Sequence, residues 1–452
     1  MKILLSAFSC GPDEGSEPGI GWNWAVHAVA LGHDVTVVTS WEHRDQIARA
    51  EADGRVPEGL TIDVFMPPRL ERFAEWALKR LPAGLAWNLI HAGWQRALVG
   101  HVRETYADQG FDFVHHITLG GARHPTLLHK TGMPLVVGPL GGGDRVPFAL
   151  RKSFPWHGWF SDLARDSYNA AIAFDPITRG ACREAVSYYA RTDATRRLLP
   201  RDLADKTRVR LELGIDDAAT GRSAEAAPPD VAGTPLNVLY VGRLSYLKGM
   251  HLGLRAIAEA VHQRGTDVRL TMIGVGGEER AWKDAAQQMG IADRITWLGW
   301  VDRTDLASHY RNGDLFLFPS LRDASGNVVL EAMSHGRPVV CLALGGPNEI
   351  VTPGSGIAIR AEGRSEQQVV SALAQSLADL AADRIRLAAL GEGARERAED
   401  FRWSDVVGEL YAEVEADLAM RRESALATDL DTGSTAASPS TPAPTAGTQP
   451  AE

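Results

Sequence analysis

The stretch PSLRDASGNVVLEAMSHGRP, residues 319–338, decides how this chain is read. Asp323 stands eight residues ahead of Glu331, with a small glycine-containing turn between them that opens a short helix. Ser325 is placed to cap that helix, Val328, Val329 and Met333 form its apolar stripe, and Gly336 with Pro338 ends it. The run just before, DLFLF at 314–318, has the length and apolar content of a buried strand aimed at the turn. That arrangement leaves the amides of Ser325, Gly326 and Asn327 at the strand's carboxyl end. Open α/β sheets bind ligands there, and helix starts attract anions. Two carboxylates beside such a turn can accept hydrogen bonds from a polyhydroxylated ligand while the amides hold its phosphate. On spacing alone, a solvated acid and a helix-face glutamate account for the pair just as well.

Strand-like runs alternate with helical ones on both sides of this segment. One series occupies 3–7, 35–39, 111–116, 135–138 and 185–189, with a helical run at 22–31. A second occupies 236–241, 268–273, 295–298, 315–318 and 339–342. Such alternation predicts an α/β chain with two doubly wound parallel sheets, too long for one core. The expected domains are 1–215 and 235–401, joined by a linker at 216–234 that is rich in small residues and has little periodicity. A last helical stretch runs from 402 to about 422. From 425 to 452 the chain is mostly Ser, Thr, Pro, Ala and Gly, and it is expected to be disordered because it can bury too little to offset its ordering. Asp429-Leu430-Asp431 imitates a metal-binding triplet, but a tail of this kind cannot preorganise a metal. No metal is expected.

A hydrophobic content of 44% with 23% charged residues is that of a soluble globular protein. The net charge of −10 argues against a general nucleic-acid binder. Cys10, Cys182 and Cys341 are widely spaced and fit no metal-ligand pattern, which points to reduced thiols in a cytoplasmic protein. No apolar run approaches the roughly 18 residues needed to span a bilayer. The start, MKILLSAFSC, reads as a first buried strand rather than a leader, since bulky Phe8 stands where a small residue would be wanted.

The strand 236–241 runs into Gly242-Arg243-Leu244-Ser245-Tyr246-Leu247-Lys248-Gly249. A glycine at the turn admits a ligand to the backbone, Arg243 can fork two phosphate oxygens, and Lys248 adds a point charge. A diphosphate leaving group gains negative charge as its bond to a sugar breaks, so fixed cations there favour the transition state. Gly274, in Ile273-Gly274-Val275-Gly276, belongs to a second turn that fits either a phosphate loop or a plain strand-to-helix connection. In the first domain, Gly19 and Gly21 lie in GSEPGIG, 15–21, between the first strand and the first helix, whose amides can face an anion across the cleft. This loop lacks the full dinucleotide fingerprint and a well-placed ribose acid, which disfavours a nicotinamide enzyme.

Glu331-Ala332-Met333-Ser334-His335-Gly336-Arg337-Pro338-Val339 resembles the carboxylate motif of family 4 retaining glycosyltransferases, enzymes of the GT-B fold that use nucleotide sugars. The family pattern is two glutamates separated by seven residues. Here the first acid is Asp323, one methylene shorter, and the usual Gly-Phe after it is Ala324-Ser325. Other signatures follow in order, so the similarity covers roughly residues 1–415. It implies a GT-B chain in which the second domain holds the nucleotide diphosphate-sugar, the first supplies a hydroxyl acceptor, and the helix 402–422 crosses back to the first. It also implies donor contacts from Gly19, Gly21, Gly242, Arg243, Lys248, Gly274, Ser325, Gly326, Asn327 and Glu331, with Glu331 on the ribose and Asp323 on the sugar. Residues 111–116, FDFVHH, resemble the strand that ends in the family's site histidine. Adjacent strand residues face opposite ways, and His116, nearer the carboxyl end, is the candidate, with His115 as substitute. Retaining hexosyl transfer without cofactor or metal is the activity implied, in polysaccharide, glycolipid or metabolite synthesis. A GT-B nucleotide-sugar epimerase and a catalytically silent sugar-nucleotide-binding subunit stay open, the latter because of the shortened acid.

Eight of the twelve tryptophans precede residue 160. Residues 69–103 and 150–160 combine Trp with Arg and Lys, as do helices that lie on anionic membranes or ordinary helices with a wet basic face. Peripheral contact with the inner membrane face is therefore a second expectation for these segments.

Overall fold

The computed structural model describes residues 1–216 and 234–434; the rest of the expected linker and residues 435–452 lie outside the described residues. The first sheet comprises β1 (Lys2–Ala7), β2 (Asp34–Thr39), β3 (Leu60–Val64), β4 (Phe113–Thr118), β5 (Leu135–Leu140), β6 (Ser187–Ala190) and β7 (Thr207–Val209). Its order is β3-β2-β1-β4-β5-β6-β7. The second comprises β8 (Leu236–Val241), β9 (Val268–Ile273), β10 (Ile295–Gly299), β11 (Leu315–Phe318), β12 (Val339–Leu342) and β13 (Gly356–Ile359), in the order β10-β9-β8-β11-β12-β13. All pairings are parallel, for example Ser6 beside Val38 and His116, and Val238 beside Leu270 and Leu315. Two Rossmann-like lobes result.

Strand order reverses between β1 and β4 in one lobe and between β8 and β11 in the other. These switch points open a crevice at the strands' carboxyl ends, and β8 and β11 are the strands that feed the Gly242 and Asp323 turns. Central strands β1, β4, β5 and β11 are buried almost throughout, which is why they are mainly apolar, with His115 and His116 as exceptions in β4. Strands β3, β7 and β13 were not anticipated. All three sit at sheet edges, where half-exposed residues such as Thr61, Asp63 and Arg208 blur the pattern.

The helix Trp403–Ser434 returns to the first lobe. Trp403, Val407, Leu410, Tyr411, Val414 and Leu418 join the core formed by Ile3, Leu5 and Trp24, and Trp24 Nε1 donates to Tyr411 Oη at 2.9 Å. Where the two crossings of the chain meet, Ile215 N donates to Phe401 O at 2.8 Å and Trp403 N donates back to Ile215 O at 3.2 Å. The helix corrects the expectation of a disordered tail from 425, since it continues to Ser434. Ala425, Leu426 and Ala427 are good helix formers and extend an existing helix without a new nucleation step.

In the helices Pro68–Arg80 and Ala83–Thr105, Trp94 is fully buried and donates to Phe65 O at 2.9 Å, while Trp87 packs partly buried against the same core. Much of the amphipathic character of 69–103 therefore serves the first sheet. Trp76, Leu85 and Leu89 of that segment are nevertheless exposed, and the helix Trp156–Ile172 goes further, with Trp156 76% and Phe160 60% exposed next to Phe148 at 77%. No helix of the described residues is long and apolar enough to cross a membrane.

Candidate functional site

A cleft of about 1760 Å³ lies at the facing strand ends. Its walls bring together Gly19, Gly242, Arg243, Lys248, Gly274, Asp323, Ser325, Asn327 and Glu331. Gly21, Gly326 and His116 are not on those walls. Gly21 is pressed against the carbonyl of Ser9, and Gly326 against Ile350 and Pro347.

The turn after β8 shows why glycine is required there. A Cβ at Gly274 would stand 2.1 Å from Gly242 O, so the ends of β8 and β9 can approach only as glycines. Beyond Gly242 the Arg243 side chain is exposed and makes no hydrogen bond or ion pair to the described residues. Its carbonyl is held by Tyr240 Oη at 3.2 Å, which fixes the turn while the guanidinium stays available to an anion. Lys248 is engaged: Nζ donates to Asp323 Oδ2 at 2.5 Å and sits 5.2 Å from the Phe318 ring.

The turn after β11 departs from expectation in two ways. Ser325 does not cap the helix Asn327–Ser334; Gly326, at φ 86°, occupies the N-cap position without a side-chain cap. Nor are the amides of residues 325 and 326 open, because Asp323 Oδ1 accepts Ser325 N at 3.1 Å and Gly326 N at 2.9 Å. A short acid two residues ahead of a turn closes an Asx turn readily, and the extra methylene of glutamate would not fit that ring. Asp323 thus organises the turn and Lys248 before it meets any ligand. Eight residues on, Glu331 lines the cleft and accepts from Tyr310 Oη at 3.0 Å, and His335 stacks on Tyr310 at 5.3 Å. Beyond them Val275 and the 76% exposed Trp300 form an apolar wall fit for a flat ring.

The two histidines of β4 do face opposite sides, and both are fully buried. His115 Nε2 lies 2.7 Å from Gly138 O and Nδ1 3.1 Å from Tyr411 Oη, which makes it part of the core under the last helix. His116 lies against Ser6 Oγ at 3.4 Å and near His91, and its Nε2 has no partner among the described residues. Burial first, then His115 and His124, push its pKa down to about 3, so it is a neutral imidazole. The expectation that His116 reaches the cleft is corrected. Ser6 and His91 pack against its ring inside the first lobe, and Leu119, at φ 49° just beyond β4, donates its amide to Glu17 Oε2 at 3.1 Å.

Glu17, Arg191 and Glu212 escaped the sequence reading. Arg191 Nη2 donates to Glu17 Oε1 at 2.9 Å, and its Nε stands 2.7 Å from Glu212 Oε2. Glu17 and Arg191 line the cleft opposite Arg243. The available signal was a charged residue directly after the buried strand β6, in Ala190-Arg191-Thr192. Among the described residues no group of acids, histidines or cysteines has the arrangement of a metal site.

Two lobes with a ligand crevice at paired switch points define a GT-B glycosyltransferase fold. Residues 235–399, the second lobe, match the family model for group 1 glycosyl transferases. The chain is 33% identical over 197 residues to D-inositol 3-phosphate glycosyltransferase 2 of Catenulispora acidiphila, a match covering 42% of this chain and 44% of that protein. The chain spans about half, or less, of the length of most curated relatives it matches, including 49% of the Salinispora tropica enzyme of the same activity. In structure it is similar to Anabaena HepE in complex with UDP, with a TM-score of 0.58 and 19% identity over 92% of this chain and 100% of that one. Sucrose-phosphate synthase of Thermosynechococcus elongatus superposes with a TM-score of 0.57 and 19% identity, covering 92% and 99% of the two chains.

Proposed function

We propose that the chain moves a hexosyl group from a nucleotide diphosphate-sugar to a hydroxyl acceptor with retention at the anomeric carbon, as an enzyme of the family 4 type. The observation that carries this reading is the pairing of exposed, unengaged Arg243 with Lys248 on one wall of the cleft, opposite the first turns of the helix Ser16–Ala30, which begins before Gly19 and Gly21 rather than after them. The diphosphate lies between them, the base against Val275 and Trp300, and the ribose on Glu331. UDP is the first nucleotide to try, because the HepE neighbour is a UDP complex. The bond from C1 to the β-phosphate oxygen breaks, the acceptor oxygen bonds to C1 on the same face, and the acceptor's proton passes to the departing phosphate. Arg243 and Lys248 stabilise the charge that develops there, so transfer is expected to survive chelation of divalent metals. Lobe closure excludes water that would otherwise hydrolyse the donor. The test is a thermal-shift screen with UDP-, GDP- and ADP-sugars followed by product analysis with and without acceptors. Stabilisation by one donor and a retained anomeric centre support the reading. No stabilisation by any donor sinks it, and an epimerised donor without acceptor would favour the epimerase.

We place the reaction in the cytoplasm with peripheral contact at the membrane, through the exposed aromatics Phe148, Trp156 and Phe160 beside Lys152, together with Trp76, Leu85 and Leu89 of 69–103, which are also exposed. Flotation with anionic vesicles tests this contact. Loss of binding in Trp156→Ser/Phe160→Ser supports it, and absence of wild-type binding removes it.

A further inference from the structure

A guanidinium clasped by two carboxylates is buried where the lobes touch. Arg191, directly after β6, donates from Nη2 to Glu17 Oε1 at 2.9 Å, and its Nε stands 2.7 Å from Glu212 Oε2. Glu212, in the chain leaving β7, has no exposed surface, and its Oε1 accepts from Ser325 Oγ at 3.0 Å. Arg191 Nη1 reaches the same hydroxyl at 3.5 Å. Ser325 belongs to the second lobe's turn, so the series Glu17, Arg191, Glu212, Ser325 runs unbroken from the first lobe's helix start to that turn. The lobes also approach closely beside it: a Cβ at Gly141, after β5, would stand 3.3 Å from the Ala324 side chain. Each nitrogen of Arg191 has a protein partner, Nε at Pro139 O and Glu212, Nη1 at Ser325 and Nη2 at Glu17, so the side chain is held in place from both lobes. Removing one member of such a buried set strands the others unpaired, so its geometry is tightly specified.

We propose that Arg191 and Glu212 are positioning residues which, through Ser325, seat the 323–326 turn against the first lobe and so place Asp323 and Lys248 on the donor's diphosphate and sugar. This rests on the reading of the turn as the donor site. Displacing Ser325 displaces the amides that Asp323 Oδ1 holds, and Asp323 in turn carries Lys248. The groups facing Glu212 are Arg191, Glu17 and Ser325, and Arg191 also feels Asp144. One cation serves two carboxylates, and burial lifts the Glu212 carboxyl to about 7 despite Arg191. The seat is therefore sensitive to protonation near neutrality.

Hydrogen exchange of the full chain, followed at the Ser325 and Gly326 amides between about pH 5.5 and 8.5 and corrected for intrinsic rates, tests this without a substrate. Ser325→Ala and Arg191→Lys are expected to speed exchange there about tenfold, with β8 unchanged. Glu212→Gln is expected to abolish the pH dependence of that protection seen in the wild type. In transfer assays the same variants should lose about tenfold in kcat with a smaller change in donor KM. Unchanged exchange at the turn, or an equal rise in β8, overturns the proposal. Ser325→Ala lies at a half-buried position and keeps the test open should the buried ion variants fail to fold. A wild type that transfers no sugar would refute the function above while the exchange measurement still decides the coupling.

Discussion

Lys248 Nζ and Asp323 Oδ2 are 2.5 Å apart, and the other oxygen of that carboxylate holds the amides of its own turn. One side chain therefore sets both a cation and a backbone loop. Asp323→Ala is expected to release all three hydrogen bonds and destabilise the second lobe by about 1–3 kcal/mol. Chemical denaturation measures this, and donor turnover should fall with it. Asp323→Asn keeps acceptors for the amides but loses the charge opposite Lys248, so it should retain most of the stability and little of the activity. Full activity in Asp323→Asn would remove the charge from the mechanism.

Arg243 is the cleaner electrostatic probe because it is exposed and supports nothing around it. Arg243→Ala should leave the melting temperature unchanged and lower kcat by about 10²–10³, as for loss of one preorganised donor. Arg243→Lys should recover only part, since an ammonium cannot fork two phosphate oxygens. Near-normal transfer by the alanine variant would exclude Arg243 from that role.

Tyr310 holds Glu331 at 3.0 Å and is itself covered by His335. Tyr310→Phe keeps the packing and removes one hydrogen bond to a charged group. Donor KM is expected to rise about tenfold with kcat little affected, because the ribose contact is the same in ground and transition states. A fall confined to kcat would place Glu331 at the reacting sugar instead.

Folding stability should carry the signature of Glu212. Its carboxyl is raised from 4.5 to about 7 by burial, so between those values the folded chain holds a proton that the unfolded chain has lost. Stability from this group therefore falls as pH rises through that window, at most by about 1.4 kcal/mol per pH unit. His116 acts in the opposite sense lower down, since its depressed pKa of about 3 makes stability rise with pH up to its unfolded value near 6.5. Denaturation of wild type and Glu212→Gln across pH 4 to 8 isolates the first effect by difference. Parallel curves would show that Glu212 is not raised.

The alternation of apolar runs and the string from Asp323 to Val339 were enough to define two parallel sheets and the place of their crevice, because both features are local. Central strands are buried on both faces and announce themselves; the edge strands β3, β7 and β13 do not. Gly242 and Arg243 were legible because they directly follow β8, and Lys248 and Glu331 because they belong to the turn and the helix that follow β8 and β11. What the tertiary structure alone decided are relations across long stretches of chain. It buried His116 against Ser6 and His91, spent both oxygens of Asp323 on neighbours, and joined Arg191 to Glu212 and Ser325. Burial and pairing depend on which segments pack together, and that is set by the summed contacts of two cores rather than by any residue's immediate neighbours.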